Sequence, residues 1–177
     1  ATRIIQFGLD KWHETIATKE YKSVLFFKNH GPMSGGSIRH PHSQIIGLRN
    51  YDYHEDITVK NMNGWLLHED QDIRITLSKH PIIGFFEYNL RYKPDAPVRS
   101  IAMRLQQTIR YVLDSLAKFS QSYNYFFYQL EDGYEYIKVI PRYITTPLYV
   151  GYKIPQTCND ERAAKILQNI TPYFELK

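Results

Sequence analysis

The chain has 177 residues, 43% hydrophobic and 23% charged, which is enough for one domain with a core and too apolar for a disordered tail. Its formal net charge of +4 suits an anionic ligand, but the lysines and arginines are scattered, which argues against a nucleic-acid arm; a small phosphorylated ligand fits as well as RNA. Cys158 is the single cysteine, so there is no disulfide framework and no internal C-x-x-C zinc pair. No apolar run approaches the roughly 20 residues of a membrane span, and residues 1–6 lack the core of a signal peptide, so a cytoplasmic protein with no membrane partner is expected.

In chain order, Leu9, Trp12 and Ile16 fall on one side of a helix, and Ser23-Val24-Leu25-Phe26-Phe27 then reads as a strand. Asn29-His30-Gly31-Pro32 signals a loop that continues through Ser34-Gly35-Gly36-Ser37. An extended pattern resumes at Gln44-Ile45-Ile46-Gly47-Leu48, so His40 and His42 are placed at the start of a strand. Residues 51–63 are polar and tyrosine-rich and read as a surface excursion. Residues 65–67, 73–77 and 82–88 read as short antiparallel strands. The clearest helix spans residues 97–120, with Ile101, Leu105, Ile109, Val112, Leu116 and Phe119 on one stripe and Pro97 in the first turn. Residues 123–130 and 134–140 form a hairpin around Glu131-Asp132-Gly133, where Asp-Gly supplies the positive φ of a tight turn. Pro141 ends it. Asn159 or Asp160 caps a last helix through Ala163, Ile166 and Leu167, and Pro172 and its neighbours read as a tail. No linker divides the chain, so residues 1–177 are expected to form a single α+β domain, an antiparallel sheet with packed helices.

The chemistry concentrates in His40-Pro41-His42-Ser43-Gln44. On a strand, alternate residues share a face, so His40, His42 and Gln44 would present two imidazoles and an amide to one space, with Pro41 and Ser43 behind. Upstream, Gly35 and Gly36 allow close backbone approach and Ser34 and Ser37 offer hydroxyls, as in loops that cradle phosphate. A neutral imidazole attacks phosphorus to form a covalent intermediate, and a neighbouring amide donates to the oxygens as charge develops. His42 is read as the nucleophile and Gln44 as the donor. Lone histidines and Gly-Gly loops are common singly; their order at a loop-to-strand junction favours a site. H-x-H can also chelate a metal, but zinc takes four ligands and no other cluster is visible.

These residues resemble the galactose-1-phosphate uridylyltransferase branch of the histidine-triad superfamily, and within it most closely its uncharacterised bacterial members. Phe27-Lys28-Asn29-His30-Gly31 matches that branch's F-x-N-x-G, residues 34–37 its small-residue loop, and residues 40–44 its H-P-H-x-Q. The preceding helix with Trp12 and the later YNYFFYQ and YIKVIPR stretches also look similar. The resemblance implies a histidine-triad-like antiparallel sheet in that branch's repeat arrangement, with a first repeat over about residues 1–60 and a degenerate second over about 61–177. It further implies ping-pong nucleotidyl transfer, in which His42 takes the nucleoside monophosphate from a nucleotide sugar and an acceptor phosphate removes it. Gln44 would contact the transferred phosphate, Asn29 and Ser37 would line its site with Gly35 and Gly36, and His40 is the first motif histidine. Glutamine at position 44 separates transferases and dinucleotide phosphorylases from the hydrolases, which carry a third histidine.

The chain departs from the pattern in three ways. It lacks the upstream cysteine pair that shares zinc with the counterpart of His40, so no cofactor is predicted, and zinc would need ligands from an N-terminal segment that the resemblance implies is missing. That segment helps enclose base and sugar. Tyr134 and Tyr136 stand where family members often carry an H-x-H. A catalytically silent nucleotide-binding protein is therefore the alternative to an enzyme. The later half of the chain, whose tyrosines and phenylalanines are dense from Tyr123 to Tyr136, is expected to be structural and to form a homodimer.

Overall fold

The computed structural model describes residues 2–175 except Ser37, Arg39, Phe85, Ala117, Phe119, Ser120 and Ile144, and leaves out the side chain of Leu116. In chain order it contains α1 (Thr2–Ala17), β1 (Ser23–His30), β2 (Gln44–Leu48), α2 (Val59–Met62), β3 (Gly64–Glu69), β4 (Ile73–Ser78), β5 (Tyr88–Tyr92), α3 (Val98–Leu116), β6 (Tyr123–Gln129), β7 (Glu135–Pro141), α4 (Pro147–Tyr152) and α5 (Asp160–Glu175). Among the described residues, seven strands pair antiparallel in one sheet, ordered β2-β1-β6-β7-β5-β4-β3. This is the α+β class expected from the sequence.

Period-2 alternation divides each strand between two faces. On one face Phe26, Tyr125, Phe127, Val139, Leu90 and Ile75 pack beneath α1, α3 and α5. α1 is fastened there by Trp12, fully buried, whose indole N–H donates to the Val24 carbonyl at 2.9 Å. The stripe on α3 behaves as the spacing predicts for Ile101, Leu105 and Val112, all buried; Phe119 and Ser120 lie outside the described residues. The other face carries Leu25, Phe126, Tyr128 and Tyr136. The β6–β7 hairpin turns through Gly133 at φ 77°, left-handed backbone that glycine adopts without penalty.

Four expectations are corrected. Residues 51–63 are no surface excursion: Tyr53 and Met62 are buried against Tyr128 and Tyr136, and the carbonyls of Asn61 and Met62 accept hydrogen bonds from Ser78, Lys138, Thr76 and Asn89. Among the described residues of 82–87 there is no strand, because the N–H groups of Ile82, Ile83 and Gly84 bond to the Glu87 carboxylate at 2.8, 2.8 and 3.2 Å and are lost to a ladder; pairing starts at Tyr88. Pro172 is inside α5, not in a tail. The helix continues because Phe174 is buried beside His68 and its carbonyl accepts from Arg104 at 2.8 Å, tertiary contacts that outweigh the lost N–H. The fourth correction concerns the histidine motif. Its strand begins only at Gln44, and His40, Pro41, His42 and Ser43 precede it in non-strand backbone.

Candidate functional site

β1 and β2 form the edge of the sheet, with Phe26 opposite Ile45 and Phe27 opposite Gln44. The loop between them returns the chain through a short 3-10 turn, Pro32–Ser34, after Gly31 at φ 81° and before Gly35 at φ 80°. Both glycines hold left-handed backbone. A Cβ on Gly31 would stand 2.4 Å from the Ser122 hydroxyl, so the turn is seated against β6. Ser34 is buried; its hydroxyl donates to the Gly31 carbonyl at 2.6 Å and accepts the Gly36 N–H at 3.4 Å.

Beneath this loop, on the face that α1 and α3 leave bare, Asn29 and Asn124 are cross-strand partners. The Asn124 amide donates to Asn29 Oδ1 at 2.5 Å and to the Ser34 carbonyl at 3.0 Å, and its own oxygen accepts from Arg142 at 2.7 Å. Gly36 approaches so closely that an added Cβ would lie 3.1 Å from Asn29 Cβ. Asn29, Ser34 and Gly36 thus converge as one unit. Ser37 lies outside the described residues. Asn124 and Arg142 were not read as site residues; the available signal was a polar Asn124 interrupting an aromatic strand.

The opposite side of this edge holds a cavity of about 540 Å³ between β1, β2, β6, α1 and α3. Pro41, His42 and Ser43 form one wall, Phe26, Lys28, Ile45, Tyr123 and Tyr125 the floor, and side chains of α1 and α3 the far side. His42 Nδ1 lies 2.9 Å from the His40 carbonyl. A carbonyl only accepts, so Nδ1 carries the proton and the lone pair of a neutral ring is on Nε2. The His40 and His42 rings are 5.6 Å apart, and Ser43 Oγ is 3.4 Å from the Tyr125 hydroxyl. Burial pushes the Tyr123 hydroxyl up to about 12, so that hydroxyl stays neutral at ordinary pH. Lys28 donates to the His42 carbonyl at 3.2 Å, and burial lowers its pKa.

The expected common face of His40, His42 and Gln44 is not what forms. Alternation holds only for extended backbone, and that starts at Gln44. Gln44, paired with Phe27, belongs to the face of Phe126 and Asn29, whereas His42 lines the cavity together with Pro41 and Ser43. His40 is exposed and does not line it. Among the described residues no three His, Cys, Asp or Glu side chains converge to hold a metal, so His40 has no partners for a zinc site there. No helix among them is long and apolar enough to cross a membrane.

Two family models match the chain: the N-terminal domain of the DUF4931 domain of unknown function over residues 1–51 and its C-terminal domain over residues 54–174. No curated protein matches. Among solved structures, a DUF4931 family protein from Bacillus cereus is 36% identical, with a TM-score of 0.85 over 99% of this chain and 79% of its own. A GalT-like protein from Arabidopsis thaliana is 14% identical, with a TM-score of 0.72 over 94% of this chain and 68% of that one. A uridylyltransferase is 15% identical, with a TM-score of 0.73 over 97% and 69%. At these low identities the last two likenesses concern the fold: this mixed α+β architecture, with its antiparallel sheet, is related to that of GalT-like proteins. On the two matching models and the Bacillus relative, the chain is a member of the DUF4931 family.

Proposed function

We propose that the protein is a nucleotidyltransferase that moves a nucleoside monophosphate from a nucleotide sugar to a sugar phosphate or phosphate through a covalent intermediate on His42. The observation that carries this reading is the His42 ring: it lines a ligand-sized cavity, with Nδ1 donating to the His40 carbonyl and Nε2 left as the nucleophilic atom. In the first step Nε2 bonds to the α-phosphorus and the bond from that phosphorus to the bridging oxygen breaks, releasing a sugar phosphate that keeps the electron pair. In the second step an acceptor phosphate oxygen bonds to the same phosphorus and the N–P bond breaks. The resemblance to uridylyltransferases assigns the phosphates to Gln44, Asn29, Gly35, Gly36 and Ser37, although Gln44 and Asn29 stand on the sheet face away from the cavity. A dinucleotide phosphorylase would run the same two steps with inorganic phosphate as acceptor.

The second reading is a nucleotide-binding protein without turnover. Gln44 and Asn29 on the sheet face away from the cavity favour it. The deciding experiment is intact-protein mass spectrometry after incubation with a panel of nucleotide sugars and dinucleoside polyphosphates. The transferase gains the mass of one nucleoside monophosphate; His42→Asn binds donor and gains nothing; His40→Asn still forms the adduct, more weakly; Gln44→His diverts it toward water. An adduct that persists in His42→Asn overturns the mechanism, and a wild-type protein that binds nucleotides but never gains mass establishes the silent binder.

A further inference from the structure

Lys28 is the first of the two variable residues of the F-x-N-x-G stretch, and the motif itself assigns it nothing. It lies on β1 in the cavity floor, half-buried, and the only hydrogen bond of its ammonium among the described residues goes to the neutral His42 carbonyl at 3.2 Å. No carboxylate ion pair compensates it among the described residues, and burial alone accounts for its lowered pKa. An ammonium taken partly out of water without a counter-ion is unfavourable unless a ligand supplies the negative charge. Around it stand Ile5, Phe7, Leu105, Ile109, Tyr123 and Tyr125, a wall that suits a flat apolar ring better than a polyhydroxylated one. The volume of about 540 Å³ falls within the roughly 300–1,000 Å³ of small-molecule sites.

We propose that Lys28 is the phosphate-binding cation of this site: a nucleotide lays its base against the α1 and α3 wall and its phosphate between Lys28 and His42, leaving the sugar phosphate outside the cavity. This rests on the nucleotidyl-transfer reading and adds to it which residue carries the charge and which part of the donor is enclosed. A role limited to holding the His42 carbonyl needs only a hydrogen-bond donor. A role in binding needs a positive charge.

The test is calorimetric titration with the four 5′-ribonucleoside monophosphates and the four nucleosides, at low and high salt. The wild-type protein binds a monophosphate more tightly than its nucleoside, and that preference shrinks as salt screens the charge. Lys28→Gln keeps a donor for the His42 carbonyl but loses about tenfold or more in monophosphate affinity, leaves nucleoside affinity unchanged and has no salt dependence. Lys28→Arg stays within about threefold of wild type. Equal monophosphate affinity in wild type and Lys28→Gln overturns the role of Lys28 while leaving nucleotidyl transfer standing. A wild-type protein that takes up no monophosphate, including one whose cavity is covered by a second copy in a dimer, overturns both.

Discussion

Lys138 and Glu87 are both wholly buried, with Nζ 3.0 Å from the carboxylate, and replacing Lys138 by Met tests how much that pair holds. Lys138 also donates to the Asn61 carbonyl at 3.0 Å, while Glu87 gathers the N–H groups of Ile82, Ile83 and Gly84. The methionine fills similar space but leaves a buried carboxylate without its cation and a buried carbonyl without its donor. Breaking one side of such a pair costs about 3–5 kcal/mol. For a chain of 177 residues that corresponds to a melting temperature lower by roughly 6–20 °C. Arg74 and Glu69 provide the comparison: their separation of 2.9 Å is as short, but their side chains are 37% and 45% exposed, so Arg74→Met changes stability by at most about 1 kcal/mol. Urea unfolding, followed by the fluorescence of Trp12 and Trp65, reads both variants. A Lys138→Met loss no larger than that of Arg74→Met, with unchanged m, refutes the claim that burial decides the worth of these pairs.

Two further outcomes follow from other contacts. His13 Nε2 lies 2.6 Å from the buried Glu135 carboxylate, a hydrogen bond that raises the His13 pKa above 6.5 against the opposing effect of burial. Its stabilising contribution is therefore complete below pH 6.5 and lost as pH rises through the higher folded-state value, so melting temperatures from pH 5.5 to 8.5 fall more in wild type than in His13→Ala; parallel curves count against the pairing. His30, whose pKa burial and Lys28 lower, acts with the opposite sign and is common to both proteins. Gly64→Ala would put a Cβ 1.7 Å from the Leu77 carbonyl oxygen on the neighbouring strand and costs at least about 2 kcal/mol in urea unfolding, whereas Gly151→Ala, with open space around it, costs nothing; equal midpoints for the two contradict the tight approach of β3 to β4.

What the sequence made legible is what local pattern decides. Trp12 and its stripe, the α3 periodicity and the Asp132-Gly133 turn depend on period and turn chemistry, and each appears where it was read. The errors arise where a specific side-chain contact overrides the local signal. Ile82-Ile83 looks like a strand until the Glu87 carboxylate takes its N–H groups, and Pro172 looks like a stop until Phe174 finds its seat beside His68. Residues 51–63 look polar in sequence, yet the backbone carbonyls of Asn61 and Met62 accept from Lys138, Thr76 and Asn89, partners far along the chain. At the candidate site the residue types were legible, but the sides of the sheet were not. His42 stands two residues before extended backbone begins, so alternation does not carry it to the face of Gln44.

The placement of the cavity at the β2-β1-β6 end of the sheet also determines which substitutions can question the chemistry without disturbing the fold. His42 and Lys28 are only partly buried and stand at the wall and floor of the cavity, with no role in the central strands β7, β5 and β4, whose Ile137, Leu90 and Ile75 are wholly buried. Gly8, on α1 over the same cavity, is different. A Cβ there would lie 2.3 Å from the Phe26 ring tip, and that ring is 4.2 Å from Phe127, which in turn meets Trp12 at 5.9 Å. Enlarging residue 8 therefore pushes on the stack that joins α1 to the sheet, and lost binding in such a variant would report repacking of the core. Phe26 is the point at which the candidate site and the core become one structure, and variants on the His42 side of it are the ones that test the proposed nucleotide chemistry without repacking the core.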